Sequence, residues 1–203
     1  MASTILKTFI LALSLGAASA VAEDEPVTVI TAAMEELAAA LDGRKEALTT
    51  DRDALHALSD SILLPRFDRT YAAQLVMGRH WRSADKAQRE RFIEAFYQTL
   101  LRKYADGVLE FDQDRIDIQP YRGDPSEKRT RVQTVVTLDD GTEVPVSYSL
   151  INRESGWLLF DVTIEGISYV RNFRSELNSE IGSKGLEAVI TRLESEAGIE
   201  SEQ

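Results

Sequence analysis

Asp161 and Glu165 stand four residues apart at the end of an alternating apolar stretch. Neighbouring carboxylates can divide acid and base roles when their environments separate their proton affinities. In a regular strand, however, Asp161 points away from the side that carries Phe160 and Val162. The plainer expectation is a hydrogen-bonded structural carboxylate. Only two histidines occur, His56 and His80. His56 sits between Leu55 and Leu58, which reads as a helix face rather than a general base. His80 follows Gly78-Arg79 and precedes Trp81, at a boundary where backbone groups can satisfy an imidazole. No HExxH, GxSxG or phosphate-loop pattern is present. Asp112-Gln113-Asp114 begins like a calcium loop but lacks its glycine and closing glutamate, so it reads as a polar turn. The chain has no cysteine, which removes thiol catalysis and thiolate metal ligands. No catalytic residue, metal or cofactor is expected. An enzyme working through Asp161, Glu165 or His80 stays open as the alternative.

Arg66, Arg69, Arg79 and Arg82 cluster in an otherwise acidic chain. A guanidinium fork suits phosphate or carboxylate. The cluster is expected either to ion-pair with Asp60, Asp68 and Asp85 or to meet an acidic or phosphorylated partner.

These groups must be positioned by secondary structure, and the front half reads as helix. Ile30, Met34, Leu37 and Leu41 recur at helical spacing, and Gly43 ends the run. Leu55, Leu58 and Ile62 mark a second helix, stopped at Pro65. A third runs around Tyr71 to Met77 and ends at Gly78, a plausible left-handed cap. The fourth is the longest, capped by Ser83 or Asp85, with Phe92, Phe96, Leu100, Tyr104 and Val108 in one stripe. A last amphipathic helix, with Leu186, Val189, Ile190, Leu193 and Ala197, starts after Gly185.

Between them the period changes to two. Ile116 and Ile118 alternate with polar residues. So do Val132, Thr134, Val136 and Leu138, then Val144, Val146, Tyr148 and Leu150, then Leu158, Phe160, Val162 and Ile164. Asp139-Asp140-Gly141 and the segment Asn152 to Gly156 are hairpin turns. Consecutive hairpins predict an α+β fold in which an antiparallel β-meander sheet is covered on one face by a helical layer. The apolar sheet face fits an ordinary core. That is the plainer reading, and the wall of a cavity between a curved sheet and long helices is the alternative.

The chain has 203 residues, 43% hydrophobic and 28% charged, a globular composition with length enough for one sizeable core. Its first residues differ from the rest. Lys7 precedes an apolar run over 8–17, and small residues fill 18–22. The run is too short for a hydrocarbon core of about 30 Å, and the pattern is that of a secretory leader. Cleavage is expected after Ala20 or Ala22. Ala22 is preferred because Glu23-Asp24-Glu25-Pro26 then opens a polar chain. The expected organisation is a leader over 1–22 and a single domain over 23–203. The net charge is -11, and about -12 without Lys7. Such acidity argues against nucleic acid and anionic membrane surfaces as direct partners.

The run Leu75-Val76-Met77-Gly78-Arg79-His80-Trp81-Arg82, followed by Gln88-Arg89 and Arg91-Phe92-Ile93-Glu94-Ala95-Phe96, resembles the MlaC family. So does Gly156-Trp157-Leu158-Leu159-Phe160-Asp161-Val162, followed by Glu165-Gly166-Ile167-Ser168, by Tyr169-Val170-Arg171-Asn172-Phe173-Arg174 and by Lys184-Gly185-Leu186. The tyrosine common after the family's tryptophan block is Phe160 here, which keeps the ring and loses a hydroxyl. The resemblance implies a periplasmic phospholipid-binding carrier whose sheet-and-helix cavity takes acyl chains and leaves the headgroup exposed. It also implies two partners, an outer-membrane lipoprotein complex and an inner-membrane ABC transporter complex with a periplasmic lipid-binding subunit. A non-lipid adaptor with a solid core is the remaining alternative. The family supplies no pocket residues. Alternation alone predicts a lipid-facing wall of Phe96, Leu100, Tyr104, Val132, Val136, Val146, Tyr148, Leu150, Phe160, Val162 and Ile164.

Overall fold

The computed structural model describes residues 26–124 and 126–199. The expected leader and the acidic tail from Glu200 lie outside the described residues. Helix α1 spans Pro26–Leu41, α2 Lys45–Thr50, α3 Arg52–Leu63, α4 Arg69–Met77, α5 His80–Ser83 and α6 Lys86–Leu109. Strands β1 (Ile116–Ile118), β2 (Arg129–Thr137), β3 (Glu143–Arg153), β4 (Gly156–Ile164) and β5 (Ile167–Ser168) follow, and α7 (Tyr169–Lys184) and α8 (Leu186–Glu196) close the described fold. Among the described residues no helix is long and apolar enough to cross a membrane.

The helices start where a side chain satisfies their free backbone donors. Asp51 accepts from Ala54 N at 3.0 Å, and Asp68 from Tyr71 N at 2.9 Å. At α6, Asp85 rather than Ser83 is the cap. Its carboxylate accepts from Gln88 N at 2.8 Å, and Gln88 Oε1 accepts from Asp85 N at 3.2 Å, a reciprocal capping box. Gly78 ends α4 at φ 54°, where a β-carbon would also meet the Arg174 guanidinium at 3.1 Å.

The strands form one antiparallel meander in the order β1-β2-β3-β4-β5. Helix α1 packs on the face that carries Val132, Leu150 and Trp157, through Ile30 and Met34. The opposite face is closed only at one end. There Ile151 is 2% exposed, and Tyr71 of α4 receives Arg129 at 3.4 Å and lies 5.3 Å under Arg153. The largest filled core lies among helices. Phe92 and Phe96 of α6 meet Val76 and Met77 of α4, Leu177 of α7, and Val189 and Ile190 of α8.

Helix α7 is absent from the sequence reading, although Tyr169, Phe173, Leu177 and Ile181 repeat at its period. The other departure is a β-bulge. Ser149 pairs with Asp161 and Leu150 with Leu159, so Phe160 is one residue too many on β4. The expected parity of Leu158, Phe160, Val162 and Ile164 therefore breaks in the middle. Beyond the bulge Val162 and Ile164 share a side with Tyr148 and Val146. Before it, Leu159 takes that side and Leu158 does not.

Candidate functional site

A cavity of about 380 Å³ lies between the sheet and the helices. Its sheet wall is Tyr148, Leu159, Phe160, Val162 and Ile164. Opposite stand Phe96, Leu100, Tyr104 and Val108 of α6, with Tyr169, Val170 and Phe173 of α7. Val29, Ile30 and Ala33 of α1, Ser59 and Leu63 of α3, Phe67, Ala72 of α4, and Tyr97 and Leu101 of α6 also line it. The aromatic rings brace one another. Tyr71 meets Phe160 edge-on at 5.0 Å, Tyr104 meets Tyr169 at 5.2 Å, and Phe96 meets Phe173 at 5.4 Å.

Seven of the expected wall residues line this cavity: Phe96, Leu100, Tyr104, Tyr148, Phe160, Val162 and Ile164. The other four do not. Val132 and Leu150 pack into the filled cluster with Ile30, Met34 and Trp157. Val146 is 7% exposed, off the cavity wall, and Val136 is half-buried beside Ile116 and Val144. Alternation assigns a side chain to a face, but the face is longer than the hollow it borders. Val170 and Phe173 escaped the sequence reading along with α7. Val29 and Ala33 escaped it because α1 was read by its Ile30–Met34–Leu37 stripe alone.

The cavity carries little free charge. Arg66 lines it, but its guanidinium is held by Glu36 Oε1 at 2.5 Å and by the Ile62 carbonyl at 2.7 Å. Asp161 also borders it, although the register keeps its side chain on the opposite side of β4 from Val162, as regular alternation predicts. Ser168 Oγ donates to one carboxylate oxygen at 2.6 Å and Val170 N to the other at 3.0 Å. Asp161 thus ties β4 to the start of α7, as the structural expectation held. Glu165 lies on the exposed β4–β5 turn at φ 49°, and His80 is on α5 beside Arg79 Nε at 3.3 Å. Neither belongs to the cavity wall, so the three candidates do not assemble there.

Asp112 accepts from Asp114 N at 3.1 Å, a polar turn. No group of acidic and histidine side chains among the described residues is arranged to hold a metal. Arg69 pairs with Glu94 at 2.5 Å. Asp68 pairs instead with Arg153 at 2.7 Å, and Asp85 is spent on its cap. The expected carboxylate partners of the arginine cluster are thereby corrected.

The phenols of the wall feel the apolar surroundings. Burial pushes the Tyr148 hydroxyl up. Burial, then the adjacent Tyr169 phenol and Glu176, push the Tyr104 hydroxyl up to about 12. Burial and the facing Asp60 carboxylate raise Tyr97 as well. All three stay protonated at neutral pH, so these phenols are neutral donors.

Comparison with known proteins agrees with this geometry. The toluene tolerance protein ttg2D of Pseudomonas putida is 28% identical over 166 residues, 81% of this chain and 77% of that protein. The intermembrane phospholipid transport system binding protein MlaC of Haemophilus influenzae is 24% identical over 199 residues, 96% of this chain and 92% of that protein. In fold, the chain is similar to a phospholipid-binding protein from Ralstonia solanacearum solved in complex with a phospholipid. The TM-score is 0.78 at 20% identity, over 86% of this chain and 97% of that one. The MlaC protein family matches residues 31–195, which takes in the helices and strands that enclose the cavity, and the chain belongs to that family.

Proposed function

We propose that this chain is a periplasmic phospholipid carrier, made as a leader over 1–22 and a single lipid-binding domain over 23–203. The observation that carries the reading is the cavity itself, walled by aliphatic and aromatic side chains with its two charged groups already paired. Nothing in such a wall rewards a polar metabolite, whereas acyl chains gain about 0.8 kcal/mol for each methylene removed from water. Two tails represent on the order of 20 kcal/mol gross, so a lipid crossing an aqueous compartment needs an enclosing protein. The names of the relatives, a phospholipid transport binding protein and a phospholipid-binding protein, point the same way.

The carrier passes its lipid between an outer-membrane lipoprotein complex and an inner-membrane ABC transporter with a periplasmic lipid-binding subunit. A chain of net charge -11, about -12 without the leader's Lys7, resists adhesion to anionic bilayers and to nucleic acid, so exchange proceeds by docking to these proteins. The enzyme alternative finds no support in a wall whose carboxylate has both oxygens engaged. The solid-core adaptor is disfavoured by the hollow.

Mass spectrometry of organic extracts from the purified protein tests the reading. The expected result is diacyl phospholipid in stoichiometric amount. Extracts free of lipid, from a protein that also takes none from vesicles, would overturn it.

A further inference from the structure

Arg66, Arg69, Arg79 and Arg82 stand close in sequence, yet the fold divides them. Arg66 and Arg69 close ion pairs with Glu36 and Glu94. Arg79, at the start of α5, and Arg82, on it, are both exposed. Helix α7 adds two more exposed arginines, Arg171 and Arg174. No ion pair among the described residues engages any of these four. At about 100° per residue, Arg171 and Arg174 lie about 60° apart on one side of α7, and Glu176 lies about 200° round from Arg174. Asp85, the acid nearest Arg82 in sequence, is held by the cap of α6. The two pairs of arginines meet at Gly78. Asn178 Nδ2 donates to the Val76 carbonyl at 2.7 Å, and the Arg174 guanidinium lies 3.1 Å from where a β-carbon on Gly78 would stand. Arg79 is the next residue, one Cα step of about 3.8 Å away. Behind them Arg89 holds α5 in place. Its Nε donates to the Trp81 carbonyl at 2.9 Å, and its head lies 5.3 Å from the centre of the Trp81 ring.

We propose that this face, Arg79 and Arg82 at α5 with Arg171 and Arg174 of α7, is a docking surface for an acidic segment of a protein partner. It rests on the carrier reading in taking that partner to be a protein met during delivery. A guanidinium fork binds a carboxylate through two parallel hydrogen bonds, and these four forks are presented from packed helices with no carboxylate paired to them. The remainder of the chain supplies the selectivity. With four positive charges gathered here and a net charge of -11 overall, the other sides are more acidic still. An acidic segment is repelled elsewhere and steered to this face. A bilayer is wider than the protein and meets the acidic remainder along with the arginines. A narrow segment seated between α5 and α7 does not.

The test mixes the mature chain with a fluorescent oligoglutamate peptide, and with the matching oligoglutamine as the neutral probe. Fluorescence anisotropy is expected to show saturable binding of oligoglutamate alone, weakened about fivefold or more between about 0.02 M and about 0.2 M salt. Arg79→Glu and Arg174→Glu are each expected to weaken it about five- to tenfold. Lys128→Glu makes the same change of charge on an exposed segment before β2, and is expected to stay within about twofold of wild type. The altered residues are all exposed, so the variants should fold, which circular dichroism checks. Their lipid content, read by mass spectrometry, is expected to match wild type. Vesicles of phosphatidylglycerol are expected not to bind. If they bind, and Arg79→Glu releases them, the occupant is a membrane and the proposal is overturned. Wild type that binds no oligoglutamate overturns it too, as does weakening by Lys128→Glu equal to that by Arg79→Glu. In either case bound lipid leaves the carrier reading standing. A chain that carries no lipid yet binds oligoglutamate through these arginines keeps the docking face and loses the carrier.

Discussion

Helix α6 borders apolar regions of two kinds, filled core and hollow. Its first half presents Phe92, Ala95 and Phe96 to Val76, Met77, Leu177, Val189 and Ile190, all at most 3% exposed. Its second half presents Leu100, Tyr104 and Val108 to the hollow of about 380 Å³ that Tyr148, Val162 and Ile164 border from the other side. The residue types hardly differ between the two. What differs is the neighbour. Helices packed on helices approach to 8–10 Å and interdigitate their side chains. A sheet that twists, and bulges at Phe160, curves away from a straight helix and leaves a gap that side chains do not span.

The largest expected effect lies on the filled side. Phe92→Ala should cost about 3–5 kcal/mol in chemical unfolding, while the surviving folded protein keeps its full complement of lipid. Loss of lipid without loss of stability in this variant would break the division. Added bulk sharpens it from the other direction. Val76→Trp, in the filled core, should cost about 1–3 kcal/mol or more. Val162→Trp, on the cavity wall, should cost less than about 1 kcal/mol against delipidated wild type. It should also abolish most lipid uptake. The comparison must be with lipid-free protein, because a bound ligand itself raises stability. Val146→Trp is the control. It lies on the neighbouring strand β3, on the same face of the sheet but off the wall, so it should behave like a core variant.

A smaller effect is expected where the two regions are joined. Asp161→Ala removes the acceptor of Ser168 Oγ and Val170 N, and should cost about 1–2 kcal/mol. Amide exchange should then quicken at the start of α7, with little change at α8. The smallest effect is that of acid. Hydrogen bonding to Arg192 holds the Glu180 carboxyl below its usual value, and Arg91 does the same for Glu187. Carboxyls depressed on folding contribute stability that is complete above the unfolded value near 4.5 and is lost as pH falls through and below it. Each should be worth about 1 kcal/mol or less, given their partial exposure. Melting curves between pH 7 and acid should show the α7–α8 pair loosening, and Glu180→Gln should flatten part of that slope.

Much of the frame was legible because it is local. Asp85 with Gln88, Gly78 after Met77, and Asp139-Asp140-Gly141 each announce a boundary from a few consecutive residues. Helix α7 was missed because its first residues follow the tight Glu165-Gly166 turn, where Ile164, Ile167 and Tyr169 still look like strand. The bulge leaves no mark in composition, since one extra residue in a strand of apolar residues is chemically ordinary. That single residue decides the facing of Leu158 and Leu159. Partners such as Glu36 for Arg66 and Glu94 for Arg69 are distant in sequence, and nothing in the arginine cluster points to them. The cavity was legible only as an apolar face. Whether such a face encloses space depends on the distance between layers, and no single stretch of chain encodes it.

Helix α6 has one more consequence, a mechanical one. At 24 residues it is a rod about 36 Å long. It is held at both ends. Phe92 and Phe96 pack it at the start, and near its end Ala105 packs on Leu41, Leu48 and Leu55 while Asp106 pairs with Arg52. Between these supports one face, with Leu100 and Tyr104, borders the hollow. Such a helix is a girder fixed at both ends, and a girder so held bends least for its length. The width of the hollow is therefore set by the supports, and a cargo is fitted by rotation of wall side chains about a fixed span.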